Sequence, residues 1–293
     1  MNNNVCVIGS LNYDFFLKVN RSPKTGETMH AREVKFSCGG KGANQAYQMG
    51  KLGLDVIMIG CVGNDSYGDE SIKSLNEVNV NTSYIKRVET NTGLGFVTVM
   101  DNGEVSAIID EGANAYVSIE MIKENYDVIF NSKVIVLQME IPTKTIEYVI
   151  GEADKTDTIV VFNPAPAKDL SDDILNKVDY LVVNEVEAGF YLKTEINEEN
   201  LKNEIFTLRN KVKRGIVLTL GSKGSYYINK TYSYIPIVKA KAVDSTGAGD
   251  SYIGSFVYGI MNGYPEVTSC KFGAYSSSKT VEKFGRDSMP SKL

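Results

Sequence analysis

Val134-Ile-Val-Leu-Gln-Met139, Ile159-Val-Val-Phe162, Tyr180-Leu-Val-Val183 and Ile216-Val-Leu-Thr-Leu220 are four short runs of apolar, mostly β-branched residues in one part of the chain. They show little polar–apolar alternation, the pattern of strands buried on both faces of a parallel sheet. Helical spacing fills the gaps between and after them, near residues 143–154, 172–177, 185–192 and 198–211. Strand alternating with helix in this way predicts an α/β fold: a doubly wound, mostly parallel sheet. Toward the N-terminus the rhythm continues. Residues 5–9 and 56–60 read as strands, and residues 42–52 and 69–78 as helices. One region breaks it. Residues 95–100 and 104–109 flank Asp101-Asn102-Gly103, and Asn-Gly between two strand-like runs signals a hairpin. Residues 15–36 also lack a long helical pattern. Together these segments predict a small antiparallel sheet, either a lid over a site or an edge extension.

The bulk properties narrow the function classes. The 293 residues carry a net charge of −5, with 43% hydrophobic and 23% charged side chains, as in ordinary globular proteins. No basic footprint points to nucleic acid or to a membrane surface. No apolar run has the length of a membrane span, and the first residues do not read as a signal peptide, so a cytoplasmic location is expected. Cys6, Cys38, Cys61 and Cys270 form no C-x-x-C pair and read as reduced thiols. His30 is the only histidine, which argues against histidine metal centres and a Ser-His-Asp hydrolase.

Ligands of open α/β sheets bind beyond the carboxyl ends of the strands. Polar residues gather at those ends here: Ser10, Asn12 and Asp14, then Glu140, Asn163, Asn184 and Gly221. The most informative segment is Asp244-Ser-Thr-Gly-Ala-Gly-Asp250, which runs into apolar residues at helical spacing, Ile253, Phe256, Val257 and Ile260. Gly247, Ala248 and Gly249 thus sit at a helix N-terminus, where free N–H groups and the helix dipole favour negative charge. Asp250, just inside that turn, can take a proton from an attacking hydroxyl; alternatively it only complements the dipole.

Gly39-Gly40-Lys41-Gly42-Ala43-Asn44 places Lys41 and Asn44 on one face of an incoming helix, as donors to hydroxyls or phosphate. It reads equally as a tight strand-to-helix turn, and it is not a Walker A loop. Asn12 and Asp14 face the same way if their strand continues, or form an Asx turn. Asn184 and Glu187 suit hydrated Mg²⁺, or a capping box. Thr219, Gly221, Ser222 and Gly224 end a strand in a glycine turn against which a nucleotide could lie, or in an αL turn without a ligand.

Taken together these segments resemble the ribokinase family of carbohydrate kinases, in order and over nearly the whole chain. Residues 39–44 are similar to the family's N-terminal signature and 244–250 to its C-terminal one. Ser10-Leu-Asn-Tyr-Asp14, Asp110-Glu-Gly-Ala-Asn114, Gln138-Met-Glu140, Asn163-Pro-Ala-Pro-Ala167 and Asn184-Glu-Val-Glu187 also match. The resemblance implies one ribokinase-like kinase domain over residues 1–293, with lid segments near 13–37 and 92–111. Asp250 is then the base, and Gly247, Ala248 and Gly249 the anion hole. Asn12, Asp14, Gly40, Lys41, Gly42, Asn44 and Glu140 hold the sugar. Asn184, Thr219, Gly221, Ser222, Gly224 and Gly249 contact ATP, and Glu187 organises Mg²⁺. A K⁺ site is implied at Asp244, Thr246, Thr280, Lys283, Gly285 and Ser288, although residues 285–290 are about one residue shorter than the family's pattern. The chain also stops soon after this motif, so a more open adenine side is expected. A homodimer through the lid is implied, and D-ribose is the expected substrate. The alternatives are a same-fold kinase for deoxyribose, fructose or a nucleoside such as adenosine, and a non-catalytic sugar or nucleotide sensor. An oxidoreductase is disfavoured because the first strand lacks a following G-x-G-x-x-G.

Overall fold

The structure, a computed structural model, describes residues 2–100, 105–197 and 200–293. Its large sheet has nine strands. In chain order they are β1 (Asn2–Ile8), β4 (Val56–Gly63), β5 (Asn81–Val88), β8 (Ser132–Gln138), β9 (Ile159–Asn163), β10 (Tyr180–Asn184), β11 (Gly215–Thr219), β12 (Ser225–Ile228) and β13 (Tyr232–Ile235). A second sheet contains β2 (Asn12–Val19), β3 (Glu33–Gly39), β6 (Gly93–Met100) and β7 (Val105–Asp110). The helices are α1 (Lys41–Lys51), α2 (Ser66–Asn76), α3 (Ile119–Glu124), α4 (Tyr126–Phe130), α5 (Thr143–Ala153), α6 (Asp172–Leu175), α7 (Glu185–Leu192), α8 (Leu201–Arg209), α9 (Ala248–Met261) and α10 (Glu266–Thr280).

The spatial order of the large sheet is β13-β12-β11-β10-β9-β8-β1-β4-β5. All pairings from β5 to β11 are parallel; β12 and β13 close one edge antiparallel. Residue alternation within β1 shows how the sheet is covered. Val5 and Val7 point into a core shared with α1, α9 and α10, through Ala46, Phe256 and Cys270. Cys6 and Ile8 point into the opposite core with α3, α5 and α8, through Met121, Ile146 and Ile205. Strands buried on both faces need apolar residues at every position, which is why the opening runs carry no alternation.

The second sheet has the order β3-β2-β6-β7. Its two antiparallel pairs, β2–β3 and β6–β7, are joined by a parallel β2–β6 contact that the sequence pattern did not show. The expected turn at Asp101-Asn102-Gly103 lies outside the described residues, as does the start of the helix expected over 198–211. Among the described residues no helix is long and apolar enough to cross a membrane.

Candidate functional site

Three chain segments meet at the carboxyl edge of the large sheet. In the first, β1 passes through Gly9–Leu11 into β2 while the N-terminus of α1 presses against that link. A Cβ on Gly42 would lie 2.7 Å from the Gly9 carbonyl carbon and the Ser10 nitrogen. Gly40, with φ 84°, would place one 2.8 Å from Asn12 N. Only glycine permits this approach and this backbone. Glu140, just beyond β8, fastens the junction: its Oε2 accepts from Ser10 Oγ at 2.5 Å and from the Lys41 N–H at 3.0 Å.

Asn12 and Asp14 are on the strand β2, not in an Asx turn, and share one face of it. Asn12 Oδ1 accepts from Asn114 Nδ2 at 2.7 Å, and Asn114 Oδ1 accepts from the Leu11 N–H at 2.9 Å. The Asp14 carboxylate lies over two glycines of the neighbouring strands. A Cβ on Gly39 would fall 1.9 Å from Asp14 Oδ2, and one on Gly95 2.2 Å from Oδ1. Burial, then the nearby Glu140 charge, pushes the Asp14 carboxyl up to about 7, against the opposing pull of Arg286. Tyr13 projects from the other face, against Phe15 and Tyr67, so it stays clear of this group.

The second segment is the start of α9. Gly247 caps it with φ 74°, and Asp250 stands in its first turn. Asp250 is buried, 7% exposed. Its Oδ2 accepts from Asn44 Nδ2 and its Oδ1 from Gln45 Nε2, both at 3.0 Å. Gln45 is oriented in turn by Gln138, whose Nε2 donates to Gln45 Oε1 at 2.7 Å. Burial raises the Asp250 carboxyl; the Lys41 charge and the two amides oppose it. Burial also pulls the Lys41 ammonium down, but Asp250, Glu140, Glu187 and Asp14 together hold it above its ordinary value. The Ala248 N–H turns back to Ser245 O at 3.2 Å, while among the described residues the Gly249 N–H takes no backbone acceptor. The free donors at this helix start are therefore not the whole 247–249 run.

The third segment is a cavity of about 200 Å³ between Asp250 and the ends of β9, β10 and β11. Lys41, Asn163, Asn184, Glu187, Thr219 and Gly249 line it. Asn184 and Glu187 do form a capping box: Asn184 Oδ1 accepts from the Glu187 N–H at 2.8 Å and Glu187 Oε2 accepts from the Asn184 N–H at 3.0 Å. The box holds Glu187 at the cavity wall. Burial raises the Glu187 carboxyl. Gly221, Ser222 and Gly224 do not line this cavity. They continue from Thr219 as a tight turn, with φ 54° at Gly221 and 92° at Gly224.

Behind α9 the loop before it meets the segment after α10. Asp244 Oδ1 accepts from the Thr246 N–H at 2.9 Å and Oδ2 from the Gly285 N–H at 3.2 Å. Ser288 Oγ lies 2.8 Å from Thr280 O and 2.7 Å from Gly285 O. The Thr280 side chain faces away, bonded to Ser251 Oγ and Ser276 O. The structure thus joins Asp244, Thr246, Thr280, Gly285 and Ser288; it gives the Lys283 side chain no bond to any of them.

Gln45 and Arg286 were not expected at the site, and Gln138 and Asn114 stood in matching motifs without an assigned role. Gln45 follows Asn44 directly on a helix, and its role shows only once α9 is placed beside α1.

Lys41, Asn44 and Gln45 on one side, Asp250 on the other and an adjoining cavity form a two-compartment site. Comparison with known proteins shows the family. The family model for pfkB family carbohydrate kinases matches residues 2–292. The chain belongs to this family. As such it is a kinase that phosphorylates a hydroxyl group. Ribokinase of Schizosaccharomyces pombe is 36% identical, covering 99% of this chain and 96% of the relative. Deoxyribokinase of Salmonella typhi is 32% identical, with 98% and 95% covered. Among solved structures, Arabidopsis thaliana ribokinase complexed with ribose and ATP superposes with a TM-score of 0.91 at 28% identity, covering 99% of this chain and 96% of that one.

Proposed function

We propose that this kinase transfers the γ-phosphoryl of ATP to the primary hydroxyl of D-ribose, giving D-ribose 5-phosphate, with Asp250 as the general base. The observation that carries this reading is the placement of Asp250: a buried carboxylate between two amide donors and the free N–H of a helix start, facing the cavity. Asn12, Asp14, Asn44, Lys41 and Glu140 supply acceptors and donors for sugar hydroxyls, with Gly40 and Gly42 making room for them. A carboxylate accepts from two adjacent hydroxyls, and a neighbouring amide both donates and accepts. Asp250 removes the proton of the attacking hydroxyl, and Lys41 and the Gly249 N–H oppose charge on the phosphoryl oxygens. Thr219 and Asn184 hold the nucleotide within the cavity, and the Gly221–Gly224 turn that continues from Thr219 meets only what extends beyond it. The Arabidopsis relative, bound to ribose and ATP, supports both substrates.

The charge balance fits a divalent cation. Among the described residues, the carboxylates of Asp14, Glu140, Glu187 and Asp250 are opposed chiefly by Lys41, with Arg286 acting on Asp14, and a triphosphate adds further negative charge. Both Glu187 oxygens are engaged by Asn184, so Glu187 would hold hydrated Mg²⁺ through water. When bound, Mg²⁺ neutralises charge on the phosphate oxygens. The loops behind α9 fit K⁺. Three oxygens, of Thr280, Gly285 and Ser288, converge where the Ser288 hydroxyl supplies a single proton, with the Asp244 carboxylate beside them. Lys283 is not part of that set. The smaller sheet acts as a lid, and its exposed apolar face, with Phe36 and Phe96, supports a homodimer.

The test is ATP turnover with D-ribose, 2-deoxyribose, fructose, adenosine and no acceptor, in Mg²⁺ and K⁺. Preference for ribose with the primary hydroxyl phosphorylated is expected. Preference for another acceptor would overturn the ribose assignment while leaving the base in place. No turnover, with sugar binding retained in calorimetry, would favour a sensor.

A further inference from the structure

Arg286 lies in a short turn after Gly285 and is 3% exposed. Buried guanidinium groups are rare without a carboxylate partner. Among the described residues, Arg286 makes no ion pair within salt-bridge distance. Instead its Nη2 donates to Ser74 Oγ on α2 at 2.8 Å, and its guanidinium carbon lies 4.8 Å from the centre of the Tyr47 ring on α1. Those two contacts fix the group in position. So fixed, it directs Nη1 toward Asn44 Oδ1 at 3.4 Å, and Asn44 is the residue whose Nδ2 donates to Asp250.

Asn44 has one donor end and one acceptor end, and the two look alike in shape. With the acceptor end toward Asp250 the amide would repel the carboxylate. A cation on the opposite side removes that option, because it repels the amide nitrogen and attracts the oxygen. The same logic holds Gln45, whose Oε1 is claimed by Gln138. We infer that Arg286 is a positioning residue: it polarises and orients Asn44 so that the amide presents a donor to Asp250. This inference rests on the reading of Asp250 as the base.

The test compares wild type with R286M, R286K, N44A and the double variant R286M/N44A, all at saturating K⁺ because Arg286 adjoins Gly285 and Ser288. R286M keeps the volume and removes the donors; R286K keeps the charge. The expected result is a loss of about ten- to a hundredfold in kcat for R286M. Its KM for ATP stays within about threefold of wild type, because Arg286 does not line the nucleotide cavity. R286K should recover part of the loss. In the N44A background the R286M substitution should add little, because its effect passes through Asn44. Additive losses in the double variant, or an R286M enzyme that melts earlier but turns over normally when folded, would overturn the inference. D250N separates the two readings. If D250N retains turnover, the base assignment itself fails. If D250N is inactive and R286M is normal, only the role of Arg286 fails.

Discussion

Replacing Asp250 by Asn changes one oxygen to an NH₂ group in a position where two amides already donate. Asn44 Nδ2 and Gln45 Nε2 both point at the carboxylate from 3.0 Å. One of them must therefore turn over. Gln45 can: its Oε1 then accepts from the new amide and its Nε2 faces Gln138. Gln138 turns as well, bringing to Gln45 an Oε1 that is buried without a donor in the native protein. The chain of amides simply reverses, leaving one orphaned NH₂ in place of one orphaned oxygen. Such an exchange costs about 1 kcal/mol, and the loss of a buried charge offsets it. Chemistry has no such escape. A general base contributes about 10²–10⁴ in rate, or about 3–5 kcal/mol at about 1.4 kcal/mol per tenfold. The expected outcome is a kcat lower by about three orders of magnitude, with ATP binding in calorimetry equal or slightly tighter because a negative charge near the triphosphate is gone. Stability gives an independent check. The folded-state carboxyl is raised by burial, so its ionisation costs stability; that cost is absent below the ordinary carboxylate range and complete above the folded value. The melting temperature of D250N should exceed wild type at pH 8 and approach it as pH falls. Retention of more than about a tenth of wild-type turnover would refute the role of Asp250. A parallel loss of ATP binding would refute the argument that the fold tolerates the change.

Further outcomes follow from the same geometry. Gly95→Ala places a methyl where the Asp14 carboxylate lies, so the KM for sugar should rise at least about tenfold while that for ATP holds, measured by steady-state kinetics. Asp14 titrates at about 7, so the KM for sugar should rise as pH falls below neutrality, when the carboxylate loses acceptor capacity; D14N should flatten that dependence. Exchange of K⁺ for Na⁺ should slow turnover several-fold, since the oxygens of Thr280, Gly285 and Ser288 need a cation of matching size; equal rates in both salts would show that the shortened 285–290 segment holds none.

Much of the fold was legible because buried parallel strands carry so strong a composition. The runs at 134–139, 159–162, 180–183 and 216–220 each became a strand, and 185–192 matched α7 end to end. β5, β12 and β13 were not read. β5 and β13 are the two edge strands, half-exposed where Tyr, Ser, Thr and Asn replace the apolar runs, and β12, although mostly buried, is a four-residue strand rich in Ser and Tyr rather than an apolar run. Asp250 was legible because glycines mark a helix start and a carboxylate there has a restricted set of uses. The amides that hold it were not. Gln45 sits on a helix where nothing local separates a core amide from a site amide, and the Gln138-Met-Glu140 match did not show that Gln138 orients Gln45. Arg286 reaches Asn44 across 242 residues of sequence, and only the packed fold makes that pairing visible.

The contact between α1 and α9 also bears on how the protein is made. The donors that hold the Asp250 carboxylate come from residues 44 and 45, which leave the ribosome early; Asp250 itself follows 206 and 205 residues later. Strands β1 to β11 all precede Asp250 in the chain, but Ser245, Gly247 and Gly249, which also line the cavity, arrive together with it. On the proposed reading of Asp250, the docking of α9 against α1 that closes the fold is therefore also the step that completes the cavity and the site of phosphoryl transfer.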